Sequence, residues 1–141
     1  MGQVTDKFGP LVADTHTFIW YANNSRRLSP RAGEVLDAAT ASDAPILVSA
    51  VTIVELRYLV EKGTLSEAEF EVLVALLDAP DSPYEVAPVD GGIAVEAGQI
   101  SRKFGADPFD RMIGATAVAL GIPLVTADRK LQAQPAVETV W

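Results

Sequence analysis

The chain has 141 residues, of which 49% are hydrophobic and 21% charged, and this size and balance fit one globular domain. It contains no cysteine and a single histidine, His16, which excludes disulfides, thiolate zinc sites, cysteine nucleophiles and multi-histidine metal sites. Any bound metal must therefore be held mainly by oxygen, which favours Mg²⁺ or Mn²⁺. Taken alone, the formal net charge of −8 argues against nucleic acid and for a basic partner.

Neither a membrane segment nor a secretory signal is visible in the sequence. No apolar run approaches the ~18 residues that a membrane span needs, and the N-terminus lacks the apolar segment of a signal peptide. We therefore expect a cytoplasmic protein with no membrane partner. Residues 1–10 are predicted to form a flexible leader and residues 11–141 a single domain.

Short apolar runs alternate with helical patterns along the whole chain. In order, the predicted elements are a strand at 11–13, a short aromatic helix at 18–21, a helix from Ser29 and Pro30 with apolar residues to 39, a strand at 46–48, a helix at 51–62, a helix opened by Ser66 and Glu69, a strand at 84–89, helices near 92–103 and 109–120, a strand at 123–126, a helical turn at 129–132 and a strand at 137–140. This alternation predicts an α/β fold in which helices cover both faces of a parallel sheet.

Four acidic residues are predicted to meet at one edge of that sheet. In open α/β sheets, ligands bind beyond the carboxyl ends of the strands, and Asp14 and Asp128 each follow such an end. Glu55 lies on a largely apolar face of its helix, and Asp110 lies on the helical stripe that should pack on the sheet. Taken singly, each Asp is also explained as a helix N-cap, and Glu55 as a surface residue.

Taken together, the four carboxylates favour a metal site over four independent caps. A cluster of acids repels itself and must take up protons unless a cation is bound. Carboxylates around one or two Mg²⁺ ions are suited to activating water for phosphodiester hydrolysis, without a protein nucleophile. Thr126, two residues before Asp128, is a candidate for orienting a water molecule or an acid, and is otherwise a plain strand residue.

With these residues in place, the sequence resembles the PIN-domain nucleases, specifically the VapC-type toxins of bacterial and archaeal toxin–antitoxin pairs. The resemblance covers residues 11–141, and the matching stretches occur in family order. They are LVADTH at 11–16, VSAVTIVEL at 48–56, DPFDRMIGATA at 107–117 and PLVTADR at 123–129. Two small departures are Gly114, where Ala is commoner, and the length of the leader.

The resemblance implies an α/β/α sandwich with strand order 3-2-1-4-5 and Mg²⁺- or Mn²⁺-dependent endoribonuclease activity. It also implies a homodimer, RNA as substrate and inhibition by a VapB-type antitoxin. On this basis the metal and catalytic acids are Asp14, Glu55, Asp110 and Asp128, and Thr126 is the associated hydroxyl. Asp107 matches a further acid of the family motif and is interpreted as a loop turn, a water ligand or an arginine partner.

The net negative charge argues against a nucleic-acid substrate, but basic residues next to the acids would offset it locally. Candidate substrate contacts are Arg111, Arg129 and Lys130, with Asp107 beside them, and the rim is extended by Arg26, Arg27 and Arg31. Each cation is otherwise a solvated surface residue. His16 is interpreted as structural, with substrate contact as the alternative. The aromatic residues Phe18, Trp20 and Tyr21 are assigned to core or dimer contacts, with base stacking as a minor option.

Several alternatives share parts of this pattern. A PIN-domain nuclease of housekeeping RNA processing keeps the same acids, and a catalytically inactive PIN domain is disfavoured because all four are present. A phosphatase or flap-type nuclease needs segments for which 141 residues leave no room. A phospho-accepting receiver domain also binds Mg²⁺ at strand ends, but it would leave Glu55 without a role.

Overall fold

The computed structural model describes residues 9–101, 103, 105 and 107–141, and most of the leader predicted for residues 1–10 lies outside this part. The described chain forms one parallel sheet in the order β3-β2-β1-β4-β5, as the resemblance implied. The strands are β1 (Leu11–Ala13), β2 (Ile46–Ser49), β3 (Tyr84–Ala87), β4 (Leu124–Val125) and β5 (Thr139–Val140). Receiver domains have the order 2-1-3-4-5, so the topology contradicts that alternative.

Helices connect the strands, and most begin at the residues that the sequence indicates. They are α1 (Thr15–Ala22), α2 (Pro30–Ala41), α3 (Ala50–Glu61), α4 (Glu67–Asp78), α5 (Gly91–Glu96), α6 (Pro108–Leu120) and α7 (Arg129–Gln132). Ser29 caps α2 by accepting from the N–H of Ala32 at 3.0 Å. The predicted capping box of Ser66 and Glu69 is present at the start of α4. None of the described helices is long and apolar enough to cross a membrane.

The central strand β1 divides the core into two layers. Leu11 and Ala13 face a cluster built mainly by α1, α2 and α4, whereas Val12 faces a second cluster built by α5, α6 and α7. All three side chains are at most 1% exposed, as expected for a parallel sheet covered on both faces. The predicted α/β/α sandwich is therefore confirmed.

The helix predicted for residues 92–103 is wrong at Ile100, where the chain becomes extended, and position 102 of that prediction lies outside the described residues. Helix α5 ends at Glu96 and is followed by a single 3₁₀ turn at Ala97–Gln99. Ile100, the next residue, is extended and fully buried. The guanidinium of Arg111 donates to the carbonyl oxygens of Ile100 (2.9 Å) and Ala97 (3.3 Å). These bonds satisfy carbonyl groups that a continuing helix would have used itself, so a contact distant in sequence ends the helix.

Two glycines, one in the middle of helix α6 and one at its C-terminal end, should respond to alanine in opposite ways. Gly114 lies inside the helix, and a Cβ there would meet Leu131 Cδ2 at 3.4 Å and Val137 Cγ2 at 3.5 Å, which are ordinary contacts. We expect Gly114→Ala to raise the free energy of unfolding by roughly 0.5–1 kcal/mol. Gly121 ends α6 with φ +67°, so Gly121→Ala should lower it by about 1 kcal/mol. Urea titration measures both, and a destabilised Gly114→Ala protein would contradict the packing described.

Candidate active site

Asp14 follows β1 directly and is held on both of its carboxylate oxygens. Oδ1 accepts from the backbone N–H of Thr17 at 2.9 Å, which makes Asp14 the N-cap of α1, and Oδ2 accepts from the hydroxyl of Thr126. The side chain is 8% exposed. Burial raises the pKa of Asp14 above its ordinary value, although the hydrogen bonds from Thr126 and Thr17 oppose that shift. The cap and the functional interpretation of Asp14 are therefore compatible.

Glu55 is turned toward the same edge from the middle of α3. Its Oε1 accepts from the hydroxyl of Thr15 at 2.6 Å, and Thr15 Oγ1 lies 3.0 Å from Thr52 Oγ1. Because the single hydroxyl proton of Thr15 goes to Glu55, Thr52 must donate to Thr15. Burial raises the pKa of Glu55, with smaller contributions from neighbouring acids including Asp107. Glu55 is thus a partly buried, oriented carboxylate and not a free surface residue.

Asp110 lies in the first turn of α6, and Asp107 is the N-cap of that helix. The N–H of Asp110 donates to Asp107 Oδ1 at 2.8 Å. Burial is the largest cause that raises the pKa of Asp110, to about 7, and negative charge on Asp107, Asp128, Glu55 and Asp14 adds to it. The side chain of Asp110 therefore senses the other four carboxylates, which is the electrostatic signature of a shared site.

Asp128 completes the group from the start of α7, just after β4. It is the N-cap of α7, where its Oδ1 accepts from the N–H of Lys130 at 2.8 Å. Its own N–H donates to Thr126 Oγ1 at 3.0 Å. Thr126 thus joins Asp14 to the backbone of Asp128, through a hydroxyl that is fully buried.

These acids line one open cavity of about 430 Å³ at the carboxyl edge of the sheet. The described residues around it are Asp14, Thr15, His16, Trp20, Arg27, Glu55, Asp107, Asp110, Ala127 and Asp128. The structure therefore brings together the four acids singled out in the sequence, together with Asp107. Thr126 lies beneath the cavity and reaches it through Asp14.

The basic residues expected at this cavity are placed differently. Arg111 is partly buried and bonded to the carbonyl groups at the end of α5, and Arg129 and Lys130 are exposed on α7 outside the lining. Arg26, Arg27 and Arg31 were expected only as an extension of the rim, and of these Arg27 lines the cavity itself whereas Arg26 and Arg31 do not. Among the aromatic residues, Phe18 is fully buried in the core.

Three residues that the sequence interpretation missed are the threonines Thr15, Thr17 and Thr52. All three are at most 3% exposed, and each makes a hydrogen bond within the group described above. The hydroxyl of Thr17 also donates to the carbonyl oxygen of Val125 at 2.8 Å, which ties α1 to β4. The sequence signal that could have identified two of them is a threonine close to an acid. Thr15 follows Asp14, and Thr52 precedes Glu55 by one helical turn.

The donor set of the cavity suits a hard divalent cation. Carboxylate and hydroxyl oxygens are the ligands that Mg²⁺ and Mn²⁺ prefer, and a cation would relieve the repulsion that raises the pKa of Asp110. Within the described residues, no three acidic or histidine side chains stand in positions to ligate one ion together. Mg²⁺ commonly uses only one or two carboxylates and keeps several waters, so the residues fit such an ion without a closed cage.

The fold and the cavity together define an α/β/α sandwich protein with an acidic site at the carboxyl edge of its parallel sheet. The family model of the PIN domain matches residues 11–137. The chain belongs to the PIN-domain family.

Individual relatives agree with this assignment. Ribonuclease VapC22 of Mycobacterium tuberculosis is 31% identical over 133 residues, which cover 93% of this chain and 98% of that protein. The crystal structure of VapBC2 from Rickettsia felis bound to a promoter DNA fragment contains a chain with TM-score 0.69 and 16% identity, covering 93% of this chain and 97% of its own length. The DNA-bound VapBC of Salmonella typhimurium contains one with TM-score 0.66 and 22% identity, covering 94% and 98%.

In metal-free buffer, Asp110→Asn should stabilise the protein at pH 8 and leave it nearly unchanged at pH 4. The pKa of Asp110 is raised from 3.8 to about 7, so folding binds a proton between these values and stability falls as the pH rises through them. After allowance for solvent screening of this partly exposed group, we expect roughly 1 kcal/mol at pH 8, or about 3–5 °C in Tm.

Thermal unfolding followed by circular dichroism in EDTA measures this difference. Glu34→Gln, which removes an exposed carboxylate on α2, is the matched control and should change stability by less than about 0.5 kcal/mol at either pH. An equal stabilisation by Asp110→Asn at both pH values would contradict the raised pKa of Asp110.

Proposed function

We propose that this chain is an endoribonuclease that depends on Mg²⁺ or Mn²⁺. The observation that carries the proposal is the convergence of five carboxylates on one cavity, where burial and mutual repulsion raise the pKa of Asp110 to about 7. RNA as the substrate class is supported by the relative named Ribonuclease VapC22, which aligns with 93% of the chain. Since His16 is the only histidine, the two-histidine acid–base mechanism used by metal-free ribonucleases is not available.

Metal binding and catalysis are assigned in this proposal to Asp14, Glu55, Asp110 and Asp128. When bound, a divalent cation supplies positive charge that offsets the charge developing on the phosphate and makes water a stronger acid. Hydroxyl groups orient two of the acids in advance: Thr126 holds Asp14, and Thr15 holds Glu55. Such preorganisation lowers the cost of reaching the reactive arrangement, because the carboxylates need not be fixed when the substrate arrives.

We also propose a biological role as the toxin of a VapBC-type pair, neutralised by a VapB-type antitoxin. The structural neighbours are chains from VapBC complexes, and the net charge of −8 suits a basic partner segment. An arginine of such a segment would compete with the cation for the carboxylates, by charge-assisted hydrogen bonds. A homodimer in the cytoplasm, as the family resemblance implies, belongs to the same proposal.

Cleavage of single-stranded RNA should require both the divalent cation and Asp14. We expect cleavage with Mg²⁺, none in EDTA, and a loss of about 100-fold or more in rate for Asp14→Asn. The asparagine keeps an oxygen that can cap α1, so the variant should remain folded. Gel analysis of a labelled oligoribonucleotide gives the rates.

Glu34→Gln is again the matched control and should cleave within twofold of the unaltered protein, because its carboxylate is exposed on α2 away from the cavity. Activity should return when excess Mg²⁺ is added after EDTA. Cleavage that persists in EDTA, or an unimpaired Asp14→Asn protein, would refute the metal mechanism.

The toxin role predicts that induced expression of the unaltered chain slows bacterial growth, whereas Asp14→Asn does not. The reason is that growth arrest by RNA cleavage needs the same carboxylate as the reaction itself. Growth curves after induction, with protein levels matched by immunoblot, measure the effect. Equal growth of both strains while the purified protein cleaves RNA would favour the alternative of housekeeping RNA processing.

A further inference from the structure

The loop between α1 and α2 fixes Arg27 at the wall of the carboxylate cavity. Ser25 donates its N–H to the carbonyl oxygen of Trp20 at 2.8 Å, and its hydroxyl accepts from the N–H of Arg27 at 3.1 Å. Leu28, the next residue, packs against the hydrophobic core. Arg27 is therefore held on both sides by ordered neighbours, although its own side chain is exposed.

Arg27 differs from the other basic residues near the acids. Of the described residues, it is the one Lys or Arg that lines the cavity. No hydrogen bond or ion pair joins its guanidinium to another described residue, in contrast to Arg111. Its five N–H donors are thus available to a ligand that enters the cavity.

Two aromatic residues, one turn apart on α1, form a wall of the same cavity. The rings of His16 and Trp20 both line it, with centroids 5.6 Å apart. Trp20 also contacts Trp141, at 5.9 Å between ring centroids. His16 is exposed, whereas Trp20 is partly buried and packed against the core, so Trp20 is anchored and the wall is accessible from the cavity.

We propose that Arg27 binds a phosphate of single-stranded RNA and that an unpaired base of the same strand stacks on Trp20, with the His16 ring beside it at an interplanar angle of 46° to Trp20. This inference rests on the proposed ribonuclease function and names how its substrate is held. A guanidinium matches the geometry of a phosphate in two parallel hydrogen bonds. Aromatic rings accept the face of any base, which is available in a single strand and hidden in a duplex.

The negative charge of the cavity favours a cationic contact to the phosphate. Five carboxylates line it, so a phosphate that approaches meets repulsion unless cations compensate. A divalent ion among the acids and Arg27 beside them would offset that repulsion at two separate points. With a volume of about 430 Å³, the cavity falls within the range of small-ligand sites, ~300–1,000 Å³, and is of suitable size for one nucleotide.

Fluorescence anisotropy of a fluorescein-labelled oligoribonucleotide tests this proposal by measuring binding. Ca²⁺ replaces Mg²⁺ in the buffer, and the RNA is checked for integrity afterwards. We expect Arg27→Gln to weaken binding by about 10-fold or more and to reduce the slope of log affinity against log salt by about 0.7. Arg27→Lys should recover part of the affinity, since it keeps the charge but loses the planar fork.

Arg26→Gln is the matched control. It removes the same charge from the adjacent exposed residue, which does not line the cavity, and should weaken binding by less than about threefold. Equal losses for Arg26→Gln and Arg27→Gln, or no loss for either, would overturn the phosphate contact. Because Arg27 is exposed, both variants should fold, which circular dichroism verifies.

The base contact has its own readouts. Trp20→Phe keeps an aromatic ring in place and should bind about threefold more weakly, with loss of most of the tryptophan quenching that RNA causes. The same strand annealed to its complement should bind at least about tenfold more weakly than when single. Equal affinity for the duplex would overturn the base contact. Equal Arg27-dependent binding of a poly-glutamate peptide would overturn RNA as the occupant.

These results separate the two proposals. Binding that depends on Arg27 in a protein that cleaves no RNA would support the contact and refute the nuclease. Cleavage by the unaltered protein, with unimpaired binding by Arg27→Gln, would refute the contact and leave the nuclease intact. A protein that neither binds nor cleaves RNA would refute both.

Discussion

Repulsion between carboxylates that share one cavity is the constraint on which the rest of this structure depends. The parallel sheet creates it, because every strand ends at the same edge and the residues after β1 and β4 therefore meet there. Helices α3 and α6 contribute Glu55 and Asp110 to the same cavity. Burial raises the pKa of all three acids Asp14, Glu55 and Asp110, and neighbouring carboxylates raise it further for Glu55 and Asp110. An empty, fully ionised cavity is thus a high-energy state that a cation or a proton relieves.

Buried threonine hydroxyls allow the fold to tolerate that strain. One chain of hydrogen bonds runs from Thr52 through Thr15 to Glu55, and Thr126 links Asp14 with the N–H of Asp128. The hydroxyls of Thr15 and Thr126 each both donate and accept, so each stabilises a carboxylate without adding charge. In the described part of the chain, no buried side-chain nitrogen or oxygen lacks a partner. Asp14 and Glu55 are therefore oriented before a substrate arrives, which is what catalysis by preorganised groups requires.

The overall acidity of the protein and the proposed RNA substrate are reconciled by position. Net charge governs long-range attraction, but the contacts that orient a strand are local. At the cavity, Arg27 and the wall of Trp20 and His16 lie beside the acids, so one surface offers cation sites, a guanidinium and aromatic faces together. The remaining negative surface is free to attract a basic protein partner. In the proposed function, a single chain would thus recognise an anionic substrate and a cationic inhibitor with different parts of the same region.

Much of the fold was predictable from the sequence, because its signals are local. Apolar runs mark the strands, the caps Ser29 and Ser66 mark helix starts, and the strand-end rule brings Asp14 and Asp128 to one edge. The inward direction of Glu55 also followed from periodicity, since three or four residues return a helix to the same face. For each of these features the deciding neighbours lie within a few residues in the chain.

Tertiary structure alone decided which basic and hydroxyl side chains serve the site. Adjacency in sequence favoured Arg111, yet its side chain turns away to the carbonyl groups that end α5, and Arg27 takes the place at the cavity. The bond between Thr15 and Glu55 spans 40 residues, and that between Thr126 and Asp14 spans 112. Such contacts depend on how separate elements pack and where long side chains point, and periodicity carries no information on either. The sequence alone therefore determined the sheet, its order of elements and the four acids, whereas the packing of those elements determined what surrounds them.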